Sequence, residues 1–179
     1  MTAIREMSIG ELAAYISSHL EANGIIVTLT GGACVSIHTN GKFVSYDLDF
    51  IEQMAAGRRK LKRVLAKIGF SEHNRYFRHP ETEFFLEFPS GPLAVGSEPP
   101  AAIIQRTYDT GTLNILSATD CIKDRLAAYF HWDDRQCLEQ ALDVANNNNI
   151  DLEEIRRWAK IEGQKEKLSD FLIKIRLKE

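Results

Sequence analysis

Ile25-Ile-Val-Thr-Leu-Thr30 is a β-branched run that ends directly on Gly31-Gly32, with no loop between them. Such a run reads as a buried strand. The paired glycines let the chain turn sharply out of it, because a residue without a Cβ accepts conformations closed to the others. Ala33 to His38 then reads as a short helix, Asn40-Gly41 as a turn, and Phe43 to Ile51 as the next strand. A strand, a Gly-Gly turn, a helix and a strand within so few residues demand a compact α+β unit.

The flanking segments extend that unit. Ser8-Ile-Gly-Glu11 fits a capping box, and Ile9, Leu12, Ala13, Ile16 and Leu20 follow at helical spacing up to Asn23-Gly24. Gly57 opens a helix with Leu61, Val64, Leu65 and Ile68 on its apolar face. Phe84, Leu86 and Phe88 alternate with Glu83, Phe85 and Glu87, as in a strand with two different faces. Ile103 to Tyr108 and Thr112 to Leu116 read as a hairpin across Asp109-Thr-Gly111. After Leu116 the pattern is helical throughout: Ser117 starts one helix, and three more apolar stripes follow. The expected layout is an α+β domain over residues 1–116 and a helical domain over 117–179.

Asp47-Leu-Asp49-Phe50 lies in the strand after the glycines. Carboxylates at i and i+2 of a strand point to one face, roughly 7 Å apart at Cα, while Leu48 and Phe50 point to the other. Two like charges side by side are unfavourable unless water or a cation screens them. Mg²⁺ resolves the conflict, since it takes carboxylate oxygens and keeps positions for phosphate. The Gly-Gly turn and the helix N-terminus favour an anion close to the backbone. Phosphate at the glycines and metal at the aspartates would form one site.

In this order of elements the chain resembles the nucleotidyltransferase-fold proteins, whose pattern is a Gly-Gly or Gly-Ser turn followed by Asp-x-Asp. It is most similar in character to small bacterial members, including the AbiEii-type toxins. Gly31 and Gly32 match the turn, Asp47 and Asp49 the metal pair, and Ser45 a hydroxyl found just before the first aspartate. The resemblance implies a mixed β-sheet with flanking helices, followed here by a C-terminal helical bundle. It also implies a nucleoside triphosphate bound with Mg²⁺ (or Mn²⁺) and nucleotidyl transfer to a hydroxyl, with RNA such as tRNA, a protein side chain or a small molecule as acceptor and a toxin-like role in prospect. The third carboxylate of the pattern falls on Glu87, as metal ligand and general base. Lys123, near the start of the first helix after the sheet, resembles a lysine that faces nucleotide phosphates. Read from the residues alone, Lys123 is equally an i,i+3 partner of Asp120. The alternative function is a binding module on the same fold, with weak or lost catalysis. A haloacid-dehalogenase-like phosphatase is disfavoured, because its Asp-x-Asp follows the first strand.

Composition excludes other classes. With 22 Lys+Arg against 25 Asp+Glu the net charge is −3, which gives no reason to expect a duplex-coating protein. The charge is nonetheless local: residues 57–67 hold six basic residues and no acid, while 133–154 hold seven acids against Arg135 alone. The basic stretch reads as a solvated helix face or a phosphate or RNA contact, and the polarity also suits a partner protein or a homo-oligomer. Cys34, Cys121 and Cys137 lack paired spacing, so reduced thiols are expected. No run is apolar enough for a membrane span, and a cytoplasmic protein is the expectation. His38 reads as a polar surface residue. No nucleophile-elbow or P-loop pattern occurs.

Overall fold

The computed structural model describes residues 2–176. Its centre is a seven-stranded mixed sheet: β1 (Val27–Thr30), β2 (Asp47–Glu52), β3 (Ser71–His73), β4 (Tyr76–Arg78), β5 (Phe85–Glu87), β6 (Ile103–Tyr108) and β7 (Gly111–Leu116). The spatial order is β3-β4-β5-β2-β1-β7-β6. β1 is antiparallel to β2 and parallel to β7, and β2 runs parallel to β5. Seven helices accompany it: α1 (Ile9–Glu21), α2 (Gly31–His38), α3 (Arg58–Ala66), α4 (Ala118–Trp132), α5 (Arg135–Asn147), α6 (Leu152–Ile161) and α7 (Lys165–Arg176). The fold is α+β, with helices flanking a mixed sheet.

The caps explain several boundaries. Ser8 Oγ accepts from Glu11 N while Glu11 Oε2 accepts from Ser8 N at 2.8 Å, the reciprocal box the sequence spells. Ser117, Asp134 and Asp151 cap α4, α5 and α6 through side chains that accept from backbone N–H groups of the first turn. Gly24, at φ +71°, turns the chain out of α1 and into β1. One continuous apolar core joins Leu12, Ile16 and Leu20 of α1 to Leu29, Leu48, Phe50, Leu86 and Ile115 of the sheet. Leu126, Trp158 and Phe171 extend it through the C-terminal helices. All three cysteines are free and buried in it or at its margin.

Two readings of the sequence need correction, and one hairpin escapes it. The second strand starts at Asp47, not Phe43, and residues 43–46 form no strand. The hairpin of β3 and β4 was not apparent from the sequence, because each strand is only three residues long. His38 is buried, not a surface residue. Its Nε2 lies 2.9 Å from Leu116 O and its Nδ1 3.0 Å from Arg106 Nη2, so the ring spends both nitrogens tying α2 to the β6–β7 hairpin.

Candidate active site

The site forms where β1 ends, α2 begins and β2 and β5 run side by side. Antiparallel pairing sets Thr30 opposite Asp49, and parallel pairing sets Asp47 opposite Phe85 and Asp49 opposite Glu87. Residues in register share a face. Asp47, Asp49 and Glu87 therefore converge, each offering a carboxylate oxygen within 4.8 Å of the others. All three are half-buried.

Gly31 makes the approach of α2 to this cluster possible. It adopts φ +66°, and a Cβ built on it would lie 2.3 Å from Asp49 Oδ2. Gly32 stands beside Ser45, whose Oγ would lie 3.0 Å from a Cβ there. No side chain caps α2. The hydroxyl of its N-cap residue, Thr30, donates to Asp49 O at 3.3 Å instead. Ser45 Oγ donates to Asp47 O at 3.1 Å, pinning the entry to β2. The helix N-terminus thus faces a carboxylate cluster across two residues that have no side chains. Gly31→Ala combines a disfavoured left-handed backbone with that clash, so it is expected to cost about 1–3 kcal/mol. Gly32→Ala, at an ordinary φ, should cost clearly less, and urea unfolding of the two variants measures the difference.

Electrostatics mark the same place. Burial first, then the charge of Glu87, pushes the Asp47 carboxyl up to about 6, against a smaller opposing pull from Arg75. Burial, Asp47 and Glu87 together push Asp49 up to about 7. Asp47 Oδ1 is buried and has no hydrogen-bond partner. An orphaned carboxylate oxygen beside two further carboxylates is unfavourable by itself and fits a hard divalent cation. Oxygen-only donors and half-buried access suit Mg²⁺ or Mn²⁺, which keep positions for substrate oxygens.

Lys123 is not brought to this cluster with its charge free. It is 1 % exposed, and its Nζ lies 2.7 Å from Asp120 Oδ1 and 2.9 Å from Glu154 Oε1. Arg157 bonds Glu154 and Glu98 in turn. One residue the sequence reading passed over does reach the site. Arg75 Nε lies 3.3 Å from Glu87 Oε1. Arg125 and its partner Asp124, on α4, act on the charge of Asp49 in opposite senses. Arg75 could have been found from Asn74-Arg75 between His73 and Tyr76-Phe-Arg78. There an Asn that tolerates left-handed backbone separates two short alternating stretches.

Comparison with solved structures bears on the fold. An antigenic nucleotidyltransferase-like protein from Paracoccidioides brasiliensis superposes with a TM-score of 0.61 at 11% identity, covering 92% of this chain and 91% of its own. Two structures of ANT(2'')-Ia give lower scores of 0.46 at 14% and 13% identity, over 87% and 77% of this chain and 95% and 87% of theirs. The first is an antibiotic-resistance factor, and the second is a complex with adenylyl-2"-tobramycin. No protein-family model matches the chain, and no curated sequence does. The fold is nucleotidyltransferase-like.

Proposed function

We propose that the protein transfers a nucleotidyl group from a nucleoside triphosphate to a hydroxyl acceptor at the Asp47–Asp49–Glu87 cluster. One observation carries the reading: three carboxylates from adjacent strands meet within 4.8 Å beside an uncapped helix N-terminus, and one of their oxygens is buried without a partner. Asp47, Asp49 and Glu87 would hold Mg²⁺ or Mn²⁺. Bound there, such an ion supplies Lewis-acid polarisation of a phosphoryl oxygen. Gly31 and Gly32 leave room for triphosphate oxygens against the start of α2, and the Ser45 hydroxyl borders the same space.

In the reaction the acceptor oxygen attacks the α-phosphorus. The new O–P bond forms as the bond from the α-phosphorus to the bridging oxygen of pyrophosphate breaks, and pyrophosphate leaves with that electron pair. The hydroxyl proton passes to a carboxylate oxygen of Glu87 and then to water. In-line geometry and charge stabilisation supply most of the acceleration in reactions of this class.

A second reading, a binding module on the same fold, has one feature in its favour. Arg75 already sets a guanidinium against Glu87, which partly answers the charge that a cation would otherwise balance. Titrating nucleoside triphosphate with and without Mg²⁺, on the wild type and on Asp47→Ala/Asp49→Ala, separates the two. The enzyme reading expects metal-dependent binding, pyrophosphate release in the presence of total RNA or protein, and loss of both in the variant by about 100-fold or more. Binding indifferent to metal and to the substitutions, with no pyrophosphate released, would leave the module. A toxin-like role predicts growth arrest on expression that the same substitutions relieve. Among the described residues, no helix is long and apolar enough to cross a membrane.

A further inference from the structure

Beyond the carboxylates, the same face of the sheet continues to its edge. Register partners across β2, β5, β4 and β3 set Asp49, Glu87, Tyr76 and His73 in one row, and Asp47, Phe85, Arg78 and Ser71 in the next. The intervening residues Leu48, Leu86 and Phe77 point the other way and are fully buried. On that rear side α3 contributes Leu61, Val64 and Leu65 to the core, and Arg58 lies over the Phe77 ring at 4.5 Å. The front is open. Ser71, His73, Arg75 and Arg78 are exposed, and Tyr76 and Phe85 are half-exposed.

The chemistry of this open face is specific. Tyr76 and Phe85 meet edge to face, with centroids 4.9 Å apart. Arg75 lies 4.8 Å from the Tyr76 ring and Arg78 5.0 Å from the Phe85 ring. Accessible rings interleaved with guanidinium groups on an open sheet stack unpaired bases and hold phosphates. The basic α3 adjoins this edge: Arg58 Nη2 donates to Arg75 O at 2.8 Å. Glu72 neutralises Arg58 and Lys62 but leaves Arg59, Lys60 and Arg63 unpaired by any acid among the described residues. A cationic acceptor would meet two arginines here, whereas a polyanion meets complementary charge.

We propose that this face seats a single-stranded nucleic acid, with Tyr76 and Phe85 stacking its bases and Arg75 and Arg78 holding its phosphates. Its terminal ribose hydroxyl is then presented to Asp47, Asp49 and Glu87 as the acceptor. The acceptor role rests on the nucleotidyl-transfer reading above; the binding of the strand does not.

The test is fluorescence anisotropy with a labelled single-stranded oligoribonucleotide of roughly 12 nucleotides, its deoxy counterpart, and a duplex of the same sequence. It is run in EDTA without nucleotide, on the wild type and on Asp47→Asn/Asp49→Asn. Single strands should bind both proteins more tightly than duplex. Tyr76→Leu/Arg78→Ala should weaken that binding tenfold or more and flatten its salt dependence. Tyr76→Phe, which keeps the ring, should bind within about twofold of wild type, and a wild-type urea transition of Tyr76→Leu/Arg78→Ala shows that folding is not the cause. Three results would overturn the proposal: no binding of any strand, duplex bound as tightly as single strand with Tyr76→Leu/Arg78→Ala without effect, or strand binding unchanged in Tyr76→Leu/Arg78→Ala while its nucleoside triphosphate affinity, titrated separately in Mg²⁺, falls. The last would assign the platform to the base of the triphosphate. Strand binding that persists while no transfer occurs under Mg²⁺ and triphosphate would sink the transferase reading alone.

Discussion

Asp49→Asn is expected to raise the melting temperature of the metal-free protein at pH 8 while removing its response to Mg²⁺. Folding raises the Asp47 and Asp49 carboxyls from 3.8 to about 6 and about 7. Between those values the folded chain holds protons that the unfolded chain has released. Stability contributed by these groups is therefore fully present below about pH 4 and lost as pH rises through 6 and 7. At pH 8 the wild type carries the crowded charges of Asp47 and Asp49 side by side, and the neutral amide removes one of them. At pH 5 both proteins are neutral at position 49, and the gap should close. Scanning calorimetry at the two pH values reads the difference as roughly 2–4 °C for each kcal/mol of relieved repulsion. Added Mg²⁺ should stabilise the wild type above pH 7 and progressively less below pH 6, because protons compete for the same oxygens. Equal melting temperatures at pH 8, or a Mg²⁺ shift that survives in Asp49→Asn, would contradict this account of the site.

Lys123→Met should be the most damaging change outside the site. The ammonium is sealed between Asp120, itself fully buried, and Glu154. Asp120 also accepts from Ala101 N at 3.0 Å, Ala102 N at 2.8 Å and Ser117 Oγ at 2.9 Å. The cluster thereby ties the approach to β6, the start of α4 and the start of α6 into one knot. Removing the cation leaves buried negative charge without compensation, at a cost of about 3–5 kcal/mol. Asp120→Asn/Lys123→Met should recover part of that loss, since breaking one half of such a pair is worse than removing both. Nucleotide titration of a folded Lys123→Arg variant then asks whether the side chain also serves phosphate: unchanged affinity assigns it to this knot alone.

The parts of the molecule legible in the sequence are those written in local pattern. The capping box at Ser8, the run from Ile25 into Gly31-Gly32 and the β6–β7 hairpin each declare themselves within a few residues. The alternation through Phe84–Phe88 correctly set Glu87 on the face opposite Leu86, though nothing local says that this face is shared with Asp47. That fact comes from strand pairing across a long stretch of chain. Lys123 shows the converse limit. Its helical spacing from Asp120 was plain, but the burial that turns a surface pair into a sealed one depends on α6, which arrives much later. Arg75 had only the local turn signal at Asn74 to mark it, and its pairing with Glu87 is tertiary. β3 and β4 went unseen because three residues are too few to show a period.

The β3–β4 hairpin hangs from the sheet through β5 alone, at the margin farthest from β1 and α2. Its front-facing side chains can therefore change without moving the strands that carry the three acids or the glycines opposite them. Evolution, or an engineer, could swap what this outermost ribbon grips while inheriting the reaction centre intact, much as a tool keeps its handle when the jaw is exchanged.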